Sequence, residues 1–459
     1  MKIMKITLIP YQSLLPINLI EISDSLQKKC HISLRPRATF YCGQNYIVSR
    51  KTFFRDEKLV IRANESFFKQ LNLPIKPLPI HIQYNRKQNH FFIGPIFAIL
   101  TDGIYTKEKN VHFGSIHSYC EEMAQYCCKN GALLYVTSLS MFRHPSPEGY
   151  IYINGTWKKE TLPFPNVIHN RIHSRRLEQS VQYEDFLKTI SQYDIPIFNF
   201  RFLNKWEIHQ IFEENEHLHP YVPKTELLYS KNVLEAYLTD FKHLFIKPIH
   251  GSQGHNILQI KQTEDGYEVQ DTTEIKKQTA KKYGSVQELF KQLYSRLKKQ
   301  PFIVQEAIPV QTFEGRPLDF RVLCHKTETQ QWKVTSIVAR VSSKDQFVSN
   351  IAKGGELFSL QEILPKLFEP STRFHVRKFL HEISLEVAKT ISKHSTGDYG
   401  ELGIDMAISE EGKPWILEVN TKPSKNLYTK ENSSIRPSAK ATIDYCFCLS
   451  GYENSTSSI

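Results

Sequence analysis

Short β-rich hydrophobic runs alternate with polar turns over the first ninety positions. Examples are Ile32-Ser33-Leu34, Thr39-Phe40-Tyr41 and Lys58-Leu59-Val60-Ile61. Short β-prone runs bounded by polar turns read as strands. Helical period is confined to a stretch near Glu65 to Leu71. The pattern predicts a small β-rich domain over residues 1–90, with Met1 to Lys5 opening its first strand. Pro, Lys, Asn and Gln cluster from Pro77 to Asn89, which marks a boundary near the end of that domain. The pattern then changes. Phe92 to Leu100 is continuously apolar and reads as one buried strand. A helix is expected near Ile116 to Lys129, a strand at Ala132 to Val136, and another at Pro165 to His169. A helix near Tyr183 to Tyr193 and a strand at Ile195 to Phe200 complete an α/β unit over residues 91–204.

A larger unit is expected over residues 205–450. Lys242 to Pro248 reads as a strand, followed at once by Gly251-Ser252-Gln253-Gly254. Phe302 to Glu306 is another strand. Leu318 to Leu323 and Val334 to Val341 are two more, joined by the polar turn Lys326 to Gln331. Phe379, Ile383, Val387 and Ile391 recur every four residues and predict an amphipathic helix. Residues 451–459, rich in Ser, Asn and Thr, read as a flexible tail.

Near the end, Gly403 to Ile408 and Trp415 to Asn420 flank Glu410-Glu411-Gly412-Lys413, the composition of a hairpin turn. A turn symmetric about Glu411-Gly412 pairs Ser409 with Pro414 and sets Asp405 opposite Glu418. Asn420 then shares a face with Glu418. Two carboxylates facing each other repel. Positive charge must compensate, and three hard oxygen ligands suit Mg²⁺; two solvent-facing carboxylates on an edge hairpin are the alternative.

Composition narrows the picture without choosing a function. At 459 residues, two or three domains are expected. Hydrophobic residues at 40% and charged residues at 23% fit a globular chain. The most apolar stretch, Phe91 to Leu100, is too short to cross a bilayer and contains Gly94 and Pro95. The N-terminus lacks the apolar core of a signal peptide. Eight scattered cysteines without a CxxC pair suggest reduced thiols and a cytoplasmic protein. A net charge of +12 allows an anionic partner, but no nucleic-acid motif accompanies it.

Several local features carry chemistry. Lys247 ends a strand just before the Gly251–Gly254 loop, whose backbone N–H groups could cradle phosphate. The loop is not a Walker A sequence, and an ordinary turn would read the same way. Asp319 and Arg321 share one face of a strand, and Arg340 lies on the next. The two arginines could clamp a phosphate or carboxylate, or Asp319 and Arg340 could form a cross-strand salt bridge. Ser349 to Gly355 is a polar loop that would place Lys353 near anionic oxygens, or serve as a plain connection.

The order of these features, from strand lysine and glycine loop to the Asp…Glu-x-Asn hairpin, resembles the ATP-grasp superfamily across about Lys205 to Ser450. More narrowly, the chain resembles the endospore coat-associated YheC/YheD family. Phe92 to Ile96, Pro165 to Ile172, Phe245 to Gly254 and Leu417 to Pro423 carry that resemblance. It implies an ATP-grasp fold, α/β and α+β, preceded by a Rossmann-like domain and the β-rich domain. It also implies roles. Lys247 would contact the nucleotide phosphates, under a mobile loop formed by Gly251, Ser252, Gln253 and Gly254. Gln305 and Glu306 would lie at the adenine hinge. Arg321 would meet the transferring phosphate, aided by Arg340 and Lys353. Asp405, Glu418 and Asn420 would hold Mg²⁺. One departure is Asn256, where related loops often carry glycine; asparagine tolerates left-handed backbone.

The expected activity is an ATP- and Mg²⁺-dependent carboxylate–amine or carboxylate–thiol ligase working through an acyl phosphate. Its substrates would be a small or peptide-like carboxylate and an amine acceptor. A kinase on the same fold, or a spore coat component that binds nucleotide without turnover, are the alternatives. Family resemblance adds the spore coat as a location and coat proteins as partners.

Overall fold

The computed structural model describes residues 2–11, 19–107, 110–251, 254–272, 280–343, 355–425 and 435–452. Its first element is a closed barrel of seven strands. They run in the order Lys2–Pro10, Val60–Ala63, Leu19–Ser23, Asn45–Phe54, Arg37–Cys42, His90–Gly94 and Leu78–Asn85. Alternation along these strands sends Ile6, Leu8, Ile20, Ile22, Phe40, Ile80 and Ile82 inward. Three expectations change here. Ile32-Ser33-Leu34 is loop rather than strand, with Leu34 exposed and the Ser33 carbonyl accepting a hydrogen bond from Lys51. The boundary expected near Pro77 to Asn89 falls a few residues later, because that stretch supplies the barrel strand Leu78–Asn85. The apolar run Phe92 to Leu100 is two strands, broken at Gly94-Pro95. The first closes the barrel and the second, Ile96–Leu100, starts the next sheet. Proline has no N–H to donate to a ladder, so the run cannot pair continuously through it.

The second sheet is ordered Thr156–Thr161, Glu148–Ile153, Leu133–Thr137, Ile96–Leu100, Val167–Asn170, Ile197–Phe198, with its last four strands parallel. Helix Val181–Gln192 packs on one side through Tyr183, Phe186 and Ile190, in a core continuous with the barrel. The other side is covered by helix His117–Asn130 and by the C-terminal helix Pro437–Ser450. Ala439, Ile443, Tyr445 and Cys446 of that last helix join Phe97, Val167 and Phe198. The end of the expected 205–450 unit thus packs on the α/β unit before it.

Two further sheets form the remaining lobes. The first is ordered Thr225–Leu227, Phe302–Glu306, His243–Pro248, Leu258–Thr263, Gly266–Asp271, Lys281–Tyr283 and is backed by helices Lys231–Asp240 and Val286–Leu297. The second is ordered Glu356–Ser359, Trp332–Val341, Arg316–Lys326, Glu401–Ile408, Pro414–Asn420. It packs on helices Lys205–Glu213, Leu360–Leu367 and Pro370–His394. In the long helix the buried stripe is Val376, Leu380, Ile383, Val387 and Ile391, while Phe379 lies outside it and is 36% exposed. The expected stripe had the right period but included one residue from the neighbouring face.

Candidate functional site

The site is built by alternation on the two central strands of the second lobe. Leu318, Phe320, Val322 and Cys324 of Arg316–Lys326 enter the lobe core, as do Leu402, Ile404, Met406 and Ile408 of Glu401–Ile408. The opposite face therefore carries Asp319, Arg321 and His325 on one strand and Glu401, Gly403 and Asp405 on the other. Arg321 pairs directly with Asp405 across the sheet, and His325 with Glu401.

The hairpin reaches the expected pairing by a different route. Its turn is one residue longer than a turn symmetric about Glu411-Gly412 and is centred on Glu411. Ile408, rather than Ser409, faces Pro414, and Gly412 adopts φ +88° at the turn. Continued without interruption, that register would send Glu418 into the core beside Ile416. A bulge at Leu417 intervenes: Met406 faces Ile416, but Asp405 faces Glu418 and Gly403 faces Asn420. One extra residue flips every later side chain to the other face. Val419 thereby enters the core, and Glu418 and Asn420 join Asp405.

Positive side chains supply the compensation the facing carboxylates require. Arg321 grips Asp405 with Nε on Oδ1 and with Nη2 on Oδ2 at 2.8 Å. Arg340 Nη2 lies 3.0 Å from Asp405 Oδ1, and the same guanidinium is bidentate on Asp319 at 2.6 and 2.7 Å. The cross-strand salt bridge between Asp319 and Arg340 is present, but the pair also reaches Asp405. Burial pushes the Asp405 carboxyl up; Arg321 and Arg340 outweigh it and hold the carboxyl below its ordinary range. Burial works against the charge of Arg340, yet Asp319 and Asp405 raise its pKa further. Asn420 Nδ2 stands 3.5 Å from Asp405 Oδ2.

Across the cleft, the first lobe presents Lys247 and Gln305. Leu244 and Ile246 enter that lobe's core, so Phe245 and Lys247 face the other way. Lys247 Nζ donates to Gln305 Oε1 at 2.5 Å, and Gln305 Nε2 donates to Thr225 Oγ1 at 2.8 Å. Lys247 keeps partial exposure, but desolvation of its ammonium, helped by Lys205 and opposed by Glu418, lowers its pKa to about 8. Glu306, at the strand end, accepts a hydrogen bond from the Lys224 backbone at 2.8 Å. Gly251 and Gly254 flank Ser252 and Gln253, which lie outside the described residues, as does Lys353. Gly254 and Asn256 both have positive φ, +68° and +58°, so asparagine does take the left-handed conformation in the loop.

Lys205 is the residue that sequence patterning missed. It is the first residue of a helix whose N-cap, Asn204, forms a reciprocal capping box with Glu207. Its ammonium bridges Glu418 Oε1 at 2.8 Å and the Gly251 carbonyl at 3.0 Å, joining both lobes. The local signal available was Asn204-Lys205-Trp206-Glu207, a capping box with a cation at its first turn. Lys205, Lys247, Gln305, Leu417 and Glu418 line a cavity of about 40 Å³ between the lobes. That is room for a water or two and far too little for a purine, so a nucleotide requires the lobes to part.

The oxygen set suits a hard cation. Asp405 and Glu418 face each other, Asn420 offers an amide oxygen if its side chain turns over, and the Lys205 ammonium already occupies a cation position against Glu418. Phosphate oxygens and a divalent cation would compete for the groups that now pair among themselves.

The model of the YheC/D like ATP-grasp family matches residues 194–449. Endospore coat-associated protein YheD of Bacillus subtilis (strain 168) is 27% identical over 397 residues, 85% of either chain. Endospore coat-associated protein YheC of the same organism is 22% identical over 280 residues, 60% of this chain and 75% of its own. Among solved structures, VanG D-Ala:D-Ser ligase from Enterococcus faecalis aligns over 78% of this chain and 99% of its own at 13% identity and a TM-score of 0.46. The family match takes in more than half of the sequence, and the chain belongs to the YheC/D-like ATP-grasp family.

Proposed function

We propose that the protein is an ATP- and Mg²⁺-dependent ligase that activates a carboxylate as an acyl phosphate and passes it to an amine or thiol. The observation that carries this reading is the convergence of Lys205, Arg321, Arg340, Asp405, Glu418 and Asn420 from one lobe toward Lys247 and Gln305 at the other. Phosphoryl transfer asks a protein mainly for position and charge, and these residues supply both.

Each residue has a role in this reading. Lys247 and Lys205 bind the nucleotide phosphates as point charges, Lys205 leaving Glu418 as the lobes part. Asp405, Glu418 and Asn420 hold Mg²⁺, which when bound neutralises phosphate charge and orients the phosphate chain. Arg321 and Arg340 stabilise the charge that builds on the transferred phosphoryl group. A substrate carboxylate oxygen forms the new bond to phosphorus as the bond to ADP breaks. The amine or thiol then attacks the acyl carbon, phosphate leaves, and the nucleophile's proton passes to solvent. No side-chain nucleophile is needed.

The relatives' names extend the reading to place. We propose that the protein acts during sporulation and becomes associated with the spore coat. Among the described residues no helix is long and apolar enough to cross a membrane.

Incubating the protein with ATP, Mg²⁺ and a cell extract, and following the products by mass spectrometry, tests the activity. A ligase gives ADP, phosphate and a new amide or thioester in matched amounts. A phosphorylated product without ligation would replace this reading with a kinase.

A further inference from the structure

One edge of the second lobe's sheet is covered over only part of its length. Strand Glu356–Ser359 pairs with Val338 to Val341 of Trp332–Val341 and no further. At Ser359 the chain leaves the sheet, because Ser359 and Glu362 form the capping box that starts helix Leu360–Leu367. Among the described residues, no strand pairs with the outer edge of residues 332–337, and no loop backbone bonds to it. That edge is about 20 Å long at ~3.3 Å per residue. Alternate residues along it turn their N–H and C=O away from Arg316–Lys326, as an unpaired edge does.

A groove of about 670 Å³ lies beside this edge, beyond Ser359, and opens to solvent. Its floor is the stretch Val334 to Ile337, and its far wall is helix Pro370–His394. A bulge shapes the floor. Leu323 faces Ser336 but Cys324 faces Val334, which leaves Thr335 as the extra residue. Val334 and Ile337, three apart, therefore both pack toward the lobe core, and both stay half-buried. Leu360 closes one end of the groove, and Phe374 stands on its rim, 67% exposed. The groove is large enough to take several side chains, and it meets a row of open backbone groups.

Charge selects the occupant. Arg377, Lys378 and His381 line the helical wall, and Glu382 is the only acid among the described lining residues. Glu382 lies 3.8 Å from Lys378, whereas Arg377 has no ion pair among the described residues. Lys333 adds an exposed cation on the strand itself. A second copy of the chain, pairing edge to edge, would bring these cations against their own kind. An acidic segment meets them with opposite charge.

We propose that this edge docks an extended, acidic peptide segment of a partner protein, which adds to the sheet as a further strand. Its backbone pairs with residues 332–337, in the lane that Glu356–Ser359 leaves. Its inward side chains are apolar and fill the groove over Val334 and Ile337 and against Phe374. Its acidic side chains lie on Arg377 and Lys378. The groove is on the helix-covered face of the sheet, opposite Arg321 and Asp405, so docking leaves the cleft open and is independent of the ligase reading.

Selection of a displayed library of random peptides on the full chain tests this. The enriched peptides should alternate apolar and acidic residues. Fluorescence polarisation of one labelled, enriched peptide then compares variants. Arg377→Glu should weaken binding roughly tenfold, and Phe374→Ala should weaken it also, as expected for contacts at a docking surface. Both positions are exposed, so neither change should lower the melting temperature. N-methylation of alternate peptide residues separates strand addition from looser docking, because only every second N–H faces the neighbouring strand. One N-methylated set should abolish binding, and the set shifted by one residue should leave it nearly intact. No enriched peptide, enrichment of basic or uncharged peptides, unchanged affinity in Arg377→Glu, or equal effects of the two N-methylated sets overturns the proposal. Concentration-dependent dimerisation that Arg377→Glu alters would give the groove to a second copy and overturns it as well.

Discussion

Lys247 shows how burial and function pull on one side chain. Its pKa is lowered to about 8 against an ordinary lysine value of 10.5, chiefly by desolvation. Below pH 8 both folded and unfolded states carry the proton, and the fold bears the cost of the buried charge. Between about 8 and 10.5 the unfolded chain binds the proton and the fold releases it, so this group makes stability rise with pH across that window. Nucleotide binding reverses the preference, because phosphate favours the ammonium. ATP binding at pH 8.5 should therefore take up a proton, and affinity should fall as pH rises above 8. Titrations in buffers of different ionisation enthalpy measure the uptake. Lys247→Ala should abolish it and weaken ATP roughly 10- to 100-fold, the loss of a charge-assisted contact worth about 1.5–3 kcal/mol. Arg321 makes a second prediction. Arg321→Met strips Asp405 of its bidentate partner and leaves it on Arg340 alone. Breaking a buried pair from one side should cost on the order of 3 kcal/mol in urea denaturation. At this scale much of the site was legible, because alternation alone sorts Asp319, Arg321, Asp405 and Lys247 onto their faces. Lys205 was not, because its partner Glu418 lies 213 residues away and no local period announces it.

At the scale of elements, strands with unbroken alternation were legible and their irregularities were not. The Leu417 bulge leaves no compositional mark, and a symmetric turn arrives at the same Asp405–Glu418 pair by a different register. The run Phe92 to Leu100 looks like one buried strand because both halves are buried, one in the barrel and one in the α/β sheet. Gly403 is the element-scale position most open to test. The chain after Asn420 crosses the sheet there, and a Cβ would meet the Pro423 ring at 2.7 Å, a ring closed on the backbone that cannot rotate away. Gly403→Ala should cost about 1–3 kcal/mol, the usual range for overpacking. It should also displace the 421–425 segment, seen as a fall in melting temperature together with altered hydrogen exchange there. An unchanged melting temperature would mean the crossing is looser than the packing implies.

For the whole molecule, the α/β unit, the second lobe and the C-terminal helix are held by contacts between residues far apart in sequence. Arg171 reaches Glu401, Lys422 reaches Glu178, and Tyr119 Oη lies 2.7 Å from Thr442 Oγ1. Such pairings are invisible to any window along the chain, which is why the last helix read as part of the lobe it follows. Ending the chain after Arg436 would expose Phe97, Val167 and Phe198, which the helix covers. The shortened protein should aggregate or lose cooperative melting; a soluble, cooperatively folding product would show that the helix is dispensable. The central claim, that the cleft between the lobes is a Mg²⁺–nucleotide site, is tested most directly by calorimetric titration of ATP with Mg²⁺ and with EDTA, in the parent and in Glu418→Gln. The account predicts that the parent binds ATP more tightly with Mg²⁺, and that Glu418→Gln folds normally but loses most of that difference. Equal Mg²⁺ dependence in the two proteins, or no ATP binding by the parent, would contradict it.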